Sequence, residues 1–124
     1  STNVQIYERT VRHLIPGLFE GQWASIFAYG QTGSGKTFTM MGSNLTGIRD
    51  GSSSVHPSNL GLYYMAALDL FQAIQTPGFE HFTIGVSLFE IYGGKLFDLL
   101  NDRTHIKCLE DSKGKVCFPG LSEH

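Results

Sequence analysis

The chain has 124 residues, 41% hydrophobic and 16% charged, which suits one packed domain and argues against wholesale disorder. Nine Lys and Arg against eleven Asp and Glu give a formal net charge of −2, without the basic excess of a domain that coats nucleic acid. Cys108 and Cys117 are too few for a disulfide scaffold, no apolar run nears the roughly 18 residues of a membrane span, and the opening STNVQIYERT lacks a signal pattern, so a soluble protein of a reducing, intracellular compartment is expected, with no membrane partner.

Residues 3–20 place Val4, Tyr7, Val11, Leu14, Ile15 and Leu18 on one stripe, which predicts a helix. Ser1, Thr2 and Asn3 are candidate N-caps, Pro16-Gly17 should kink or fray the end, and Gly21 should stop it. WASIFAY (23–29) reads as a central strand of a parallel sheet, apolar on both faces. The glycine loop GQTGSGKT (30–37) follows, and KTFTMM (36–41) begins the next helix. Residues 42–58 lose every apolar period and read as a long surface loop of the kind that often borders a binding site. That stretch holds an Asn44-Leu45-Thr46 glycosylation acceptor, expected to be idle without a secretory signal, and His56.

Residues 59–75 resume helical spacing through Leu60, Tyr64, Ala67, Leu68, Phe71 and Ile74, with Ser58 as N-cap and Thr76-Pro77-Gly78 as stop. Little of this helix is expected to face water. HFTIGVSLFEIY (81–92) reads as a second central strand, Gly93-Gly94 breaks it, and KLFDLLND (95–102) as a short helix. Residues 105–120 read as a hairpin around Asp111-Ser112-Lys113-Gly114. Symmetric pairing sets Cys108 opposite Cys117 and Leu109 opposite Val116, and a glycine bulge would slip that register by one. The order predicts an α/β fold with a mainly parallel central sheet flanked by helices, plus a β-hairpin.

GQTGSGKT fits G-x-x-x-x-G-K-[ST] with Gly30, Gly35, Lys36 and Thr37 at the fixed positions. Glycines let the backbone curl around phosphate oxygens. Amides from Gln31 through Thr32, Gly33, Ser34 and Gly35 to Thr37 can turn inward as an anion nest, Lys36 supplies a point charge for the β- and γ-phosphates, and the Thr37 hydroxyl is placed to ligate Mg²⁺. A chance match in this length is on the order of one in several hundred. Glu90, after Val86-Ser87-Leu88-Phe89, imitates the Mg²⁺-side acid of a nucleotidase, but that acid is ordinarily Asp, so a structural role is the preferred reading. The five histidines show no metal-ligand spacing, and Lys107, Lys113 and Lys115 read as a solvated face.

IFAYGQTGSGKTFTMMG (26–42) closely resembles the nucleotide-binding signature of kinesin motor domains, where Phe27-Ala28-Tyr29 and Phe38-Thr39-Met40 add to a loop that is generic alone. IYERTVRHLIPGLFEG (6–21) and FEIYGGKLFDLL (89–100) agree in the right order, and LEDSKGKVCFPGLSE (109–123) most resembles the internal-motor, microtubule-depolymerising kinesins. The resemblance implies a P-loop NTPase with the kinesin-type motor core, ATP or ADP with Mg²⁺ as cofactors, and microtubules or tubulin as partners, with no nucleic acid. Gly30 to Thr37 carry over as the phosphate loop, Thr37 as the Mg²⁺ ligand, and Phe38 stands where many kinesins have a histidine beside the adenine. A microtubule-stimulated ATPase located in the cytoplasm and cytoskeleton is implied, with spindle or flagellum and a homodimeric parent left open. Neither an N-x-x-S-S-R run nor a D-L-A-G-x-E run occurs in the 124 residues. Residues 1–124 are therefore expected to be an internal, partial motor domain that holds phosphate without hydrolysing ATP and contains no catalytic residue besides the charge-stabilising Lys36. The competing readings are a non-catalytic kinesin-like nucleotide- or tubulin-binding module and an unrelated P-loop NTPase.

Overall fold

The first helix opens on a capping box. The Thr2 hydroxyl accepts from the Gln5 amide at 3.3 Å, and the Gln5 side chain accepts from the Thr2 amide at 3.1 Å. The computed structural model describes residues 1–43 and 59–124, in two units, Ser1–Phe82 and Thr83–His124. The Asn44 acceptor, His56, Ser58 and most of the predicted 42–58 loop lie outside the described residues.

In the first unit the predicted helix 3–20 is broken earlier than expected. Helix α1 covers Asn3–Thr10, a 3-10 turn covers Arg12–Leu14, and α2 covers Ile15–Leu18. Pro16 explains the break: its ring would strike the carbonyl four residues back, and the chain tightens ahead of it, Leu14 bonding Val11 at 2.9 Å. The stop is at Gly21 as expected. Gln22 N–H bonds the Gly17 carbonyl and Gly21 N–H the Leu18 carbonyl, a Schellman ending. Helix α3 covers Lys36–Met41 and α4 covers Leu62–Ile74, capped by Gly61. Tyr7, Val11, Met40, Leu62 and Met65 form the core that joins α1, α3 and α4. The Tyr7 hydroxyl donates to Asp69 Oδ2 at 2.6 Å across that core, and Arg12 Nε lies 3.9 Å from the same oxygen.

Two expectations for this unit fail. WASIFAY enters no strand pairing, and Trp23, Phe27 and Tyr29 are 90%, 83% and 96% exposed. A central strand exists through neighbours on both sides, and among the described residues this segment has none. On α4, Leu62 and Met65 are buried, while of the residues named from the sequence Tyr64, Leu68 and Phe71 are exposed and Leu60, Ala67 and Ile74 half-buried, so the expectation that little of the helix faces water fails. The helix is apolar almost all round, and periodicity cannot then choose its buried side.

The second unit is an antiparallel meander and a hairpin. Strand β1 is Phe89–Tyr92, β2 Lys95–Asp98, β3 Thr104–Ile106, β4 Leu109–Glu110 and β5 Val116–Cys117, giving a three-stranded sheet β1-β2-β3 and a separate β4-β5 pair. Every strand pairing among the described residues is antiparallel, which corrects the expected parallel sheet. Residues 81–88 are not a strand, although Val86 and His124 exchange both backbone hydrogen bonds, at 2.8 and 2.9 Å. Residues 95–98 are a strand rather than the start of a helix. Gly93 (φ 58°) and Gly94 (φ 74°) form a two-residue turn with positive φ at both positions, which pairs Tyr92 with Lys95 and folds KLFD back on FEIY.

The β4-β5 register is Leu109 with Cys117 and Glu110 with Val116, the slipped alternative. Gly114 at φ 78° supplies the bulge, and Asp111 Oδ1 accepts from the amides of Lys113 and Lys115 at 2.8 and 2.9 Å. Cys108 therefore does not face Cys117, and both thiols are free and exposed.

Candidate functional site

The glycine loop closes on itself before α3 begins. Ser34 N–H bonds the Gln31 carbonyl at 3.1 Å, and Thr39 N–H bonds the carbonyl of Gly35, the N-cap. Gly33 (φ 82°) and Gly35 (φ 92°) are left-handed, and a Cβ at either would meet nothing within 4 Å. Dihedral freedom rather than space makes glycine the fitting residue there. At Gly30 space matters, since a Cβ would lie 2.5 Å from Ser34 Oγ.

Half-buried Lys36 folds back over the rim of the loop. Its Nζ donates to the Gly30 carbonyl at 2.5 Å and the Gln31 carbonyl at 2.8 Å, with Ser34 Oγ at 3.5 Å. Beside it a cavity of about 450 Å³ is lined by Thr32, Gly33, Gly35, Lys36, Thr37 and Phe38. The structure thus gathers six of the nine sequence-named residues around one hollow. Gly30, Gln31 and Ser34 hold the lysine that enters it. Phe38 is exposed at its edge. The charged group of the lining is an ammonium, and its other polar groups are hydroxyls and backbone, which suits an anion. Thr37 offers a hard cation one hydroxyl oxygen. Among the described residues no cluster of three His, Cys, Asp or Glu could hold a metal. Such a set fits Mg²⁺ bound mostly through phosphate oxygens and water.

Glu90 lies in the second unit, where its Oε1 accepts from Arg103 Nε at 2.6 Å. That ion pair gives it the structural role preferred from the sequence. Two residues act on the C-terminal turn of α3: Asn3, read from the sequence only as a candidate N-cap, and Gly61, not singled out there. The buried Asn3 amide donates to the Phe38 carbonyl at 2.9 Å and to the Leu60 carbonyl at 3.0 Å. Gly61 lies so close to α3 that a Cβ would strike the backbone of Met40 and Met41. The signal for Asn3 was Thr2-x-x-Gln5: once Thr2 is the cap, Asn3 is inside the helix with its amide free for a distant partner.

A family model, that of the kinesin motor domain, matches residues 1–124. Proteins of that family are microtubule motors that hydrolyse ATP and bind nucleotide with Mg²⁺. The match spans both units and is not confined to a glycine loop that many nucleotide-binding proteins share, so the chain belongs to the kinesin motor domain family.

Proposed function

We propose that residues 30–37 are the phosphate loop of an ATP-driven microtubule motor, with Lys36 as the charge on the β- and γ-phosphates and Thr37 as the Mg²⁺ ligand. The observation that carries this reading is the pose of Lys36. Its ammonium is held by the Gly30 and Gln31 carbonyls beside a cavity that Lys36 lines together with Gly33, Gly35 and Thr37. Those carbonyls are neutral acceptors for the ammonium, and exchanging them for phosphate oxygens replaces ion–dipole hydrogen bonds with bonds between opposite charges. The residues of this chain hold and orient the phosphates and balance their charge. Mg²⁺ in the bound nucleotide would spread the charge of the transferred phosphoryl group. Phe38, exposed and lining the same cavity, would lie beside the base. The run LEDSKGKVCFPGLSE favours a motor that depolymerises microtubules over one that walks.

In the full-length protein Lys36→Ala is expected to lower microtubule-stimulated ATP turnover by a factor of about 100 or more. Unchanged turnover would sink the assignment of Lys36. Shortening of stabilised microtubules by the wild-type protein, measured by light microscopy, tests the depolymerising subtype, and gliding without shortening overturns it.

A further inference from the structure

Helix α3 is six residues long, and its first two residues are Lys36 and Thr37. Anything that fixes its last turn also fixes its first. Two independent contacts act on that last turn. The Phe38 carbonyl accepts from Gly42 N–H at 2.8 Å and also from Asn3 Nδ2 at 2.9 Å. The Gly42 and Leu60 backbones form an antiparallel bridge, with Ser43 N–H on the Asn59 carbonyl at 3.0 Å. The second Asn3 N–H goes to Leu60, so one amide ties α1 to both sides of that crossing.

We propose that Asn3 is a positioning residue for nucleotide binding. It holds the C-terminal turn of α3 so that Lys36 and Thr37 stay in register with the glycine loop. The inference rests on the reading of residues 30–37 as a phosphate loop. Three features single out Asn3. It is 2% exposed, in a position where a helix ordinarily carries a solvated polar residue. Both of its N–H groups reach main-chain carbonyls 35 and 57 residues away, where a local cap would reach neighbours. The Thr2–Gln5 capping box immobilises its backbone, which makes the amide a fixed post rather than a follower. The bound carbonyl belongs to the residue directly after Thr37, so a shift there passes to the proposed Mg²⁺ ligand through one peptide unit.

The test is the dissociation constant of a fluorescent ADP analogue, with Mg²⁺, for the full-length protein and its variants, alongside thermal stability. Failure of the wild-type protein to bind the analogue overturns the phosphate-loop reading itself. If the wild type binds, Asn3→Ala is expected to weaken binding about fivefold or more, within the range by which packed networks couple sites. Tyr7→Phe is the control on the same helix. It removes the bond to Asp69 and should lower stability without changing the dissociation constant. Unchanged affinity in Asn3→Ala, or an equal loss in Tyr7→Phe, overturns the positioning role. Should Asn3→Ala not fold, Asn3→Leu, which fills the site without a donor, is measured in its place, and wild-type affinity in that variant overturns the proposal equally.

Discussion

The two units anchor their irregular backbone with different chemistry. In Ser1–Phe82 the buried anchor is a neutral amide, Asn3, working beside the close backbone approach of Gly42 and Gly61. In Thr83–His124 the anchors are carboxylates. Asp98 has no accessible surface and accepts from Ser122 N–H at 2.7 Å and Leu100 N–H at 3.0 Å, while Asp111 holds the hairpin turn. A carboxylate can take several amides at once, and it fails when protonated. An amide takes no part in titration. The buried anchor of the first unit therefore works by shape and those of the second by charge.

Shape should break hardest. Gly61→Ala puts a methyl into the backbone of Met40 and Met41, which leaves no flexible side chain to yield. A loss of about 3 kcal/mol or more is expected in urea unfolding, since overpacking against main chain is among the largest single-site penalties. A loss below about 1 kcal/mol would mean that the two segments separate freely.

Charge should break next, and at a stated pH. The Ser122 amide holds the Asp98 carboxyl below its ordinary value, burial opposing it and Leu100 and the nearby His124 adding to it. The folded state thus favours the ionised form. This contribution to stability is present above about pH 4, the unfolded value, and is lost as pH falls through the depressed folded value. Asp98→Asn should abolish that acid limb in the Ser122 amide resonance, followed by NMR against pH. An acid limb that survives the substitution assigns it to another carboxylate.

The sequence showed local backbone structure better than long-range pairing. The G-x-x-x-x-G-K-T spacing is a local property, and the loop forms with its own hydrogen bonds from Ser34 to Gln31 and from Lys36 to Gly30. Helix α3, the Gly21 stop and the Asp111 turn are local in the same sense, and all three are where they were expected. The predicted parallel central sheet failed because pairing is not local, while the end of the predicted strand 81–92 and the hairpin within 105–120 did form. WASIFAY has the composition of a central strand, but composition supplies no neighbour. KLFDLLND could read as helix or strand, and Gly93-Gly94, taken only as a break, was the hairpin signal that decides it. The Phe38 and Leu60 partners of Asn3 lie 35 and 57 residues away, which no window of sequence displays.

Tyr7 gives the first unit a titrating contact too, at the other end of the pH scale. Burial first, then the bond to Asp69 and that carboxylate's charge, push the Tyr7 hydroxyl well above its ordinary value of 10.0. The neutral phenol is the form the fold favours. Its contribution is complete below about pH 10 and is lost as pH rises through the raised value. Tyr7→Phe should cost about 1 kcal/mol at neutral pH and remove the alkaline limb, read by urea unfolding at pH 7 and pH 11. Equal losses at both pH values would contradict the linkage.

The smallest effect expected is at Arg103, where the second unit itself mixes charge and shape. Asp102 (φ 50°) and Arg103 (φ 56°) are both left-handed without being glycine, a conformation that costs about 1 kcal/mol per residue. The Arg103 guanidinium offsets part of that cost by lying 4.3 Å over the Phe97 ring while bonding Glu90. The contacts are partly exposed, so together they are worth about 0.5 kcal/mol. Arg103→Ala loses them and keeps the strain, and should destabilise by about that amount. Arg103→Gly loses them and relieves the strain, and should be at least as stable as Arg103→Ala despite glycine's greater freedom when unfolded. If thermal melts rank the alanine variant above the glycine variant, backbone strain is not what the arginine contacts are set against.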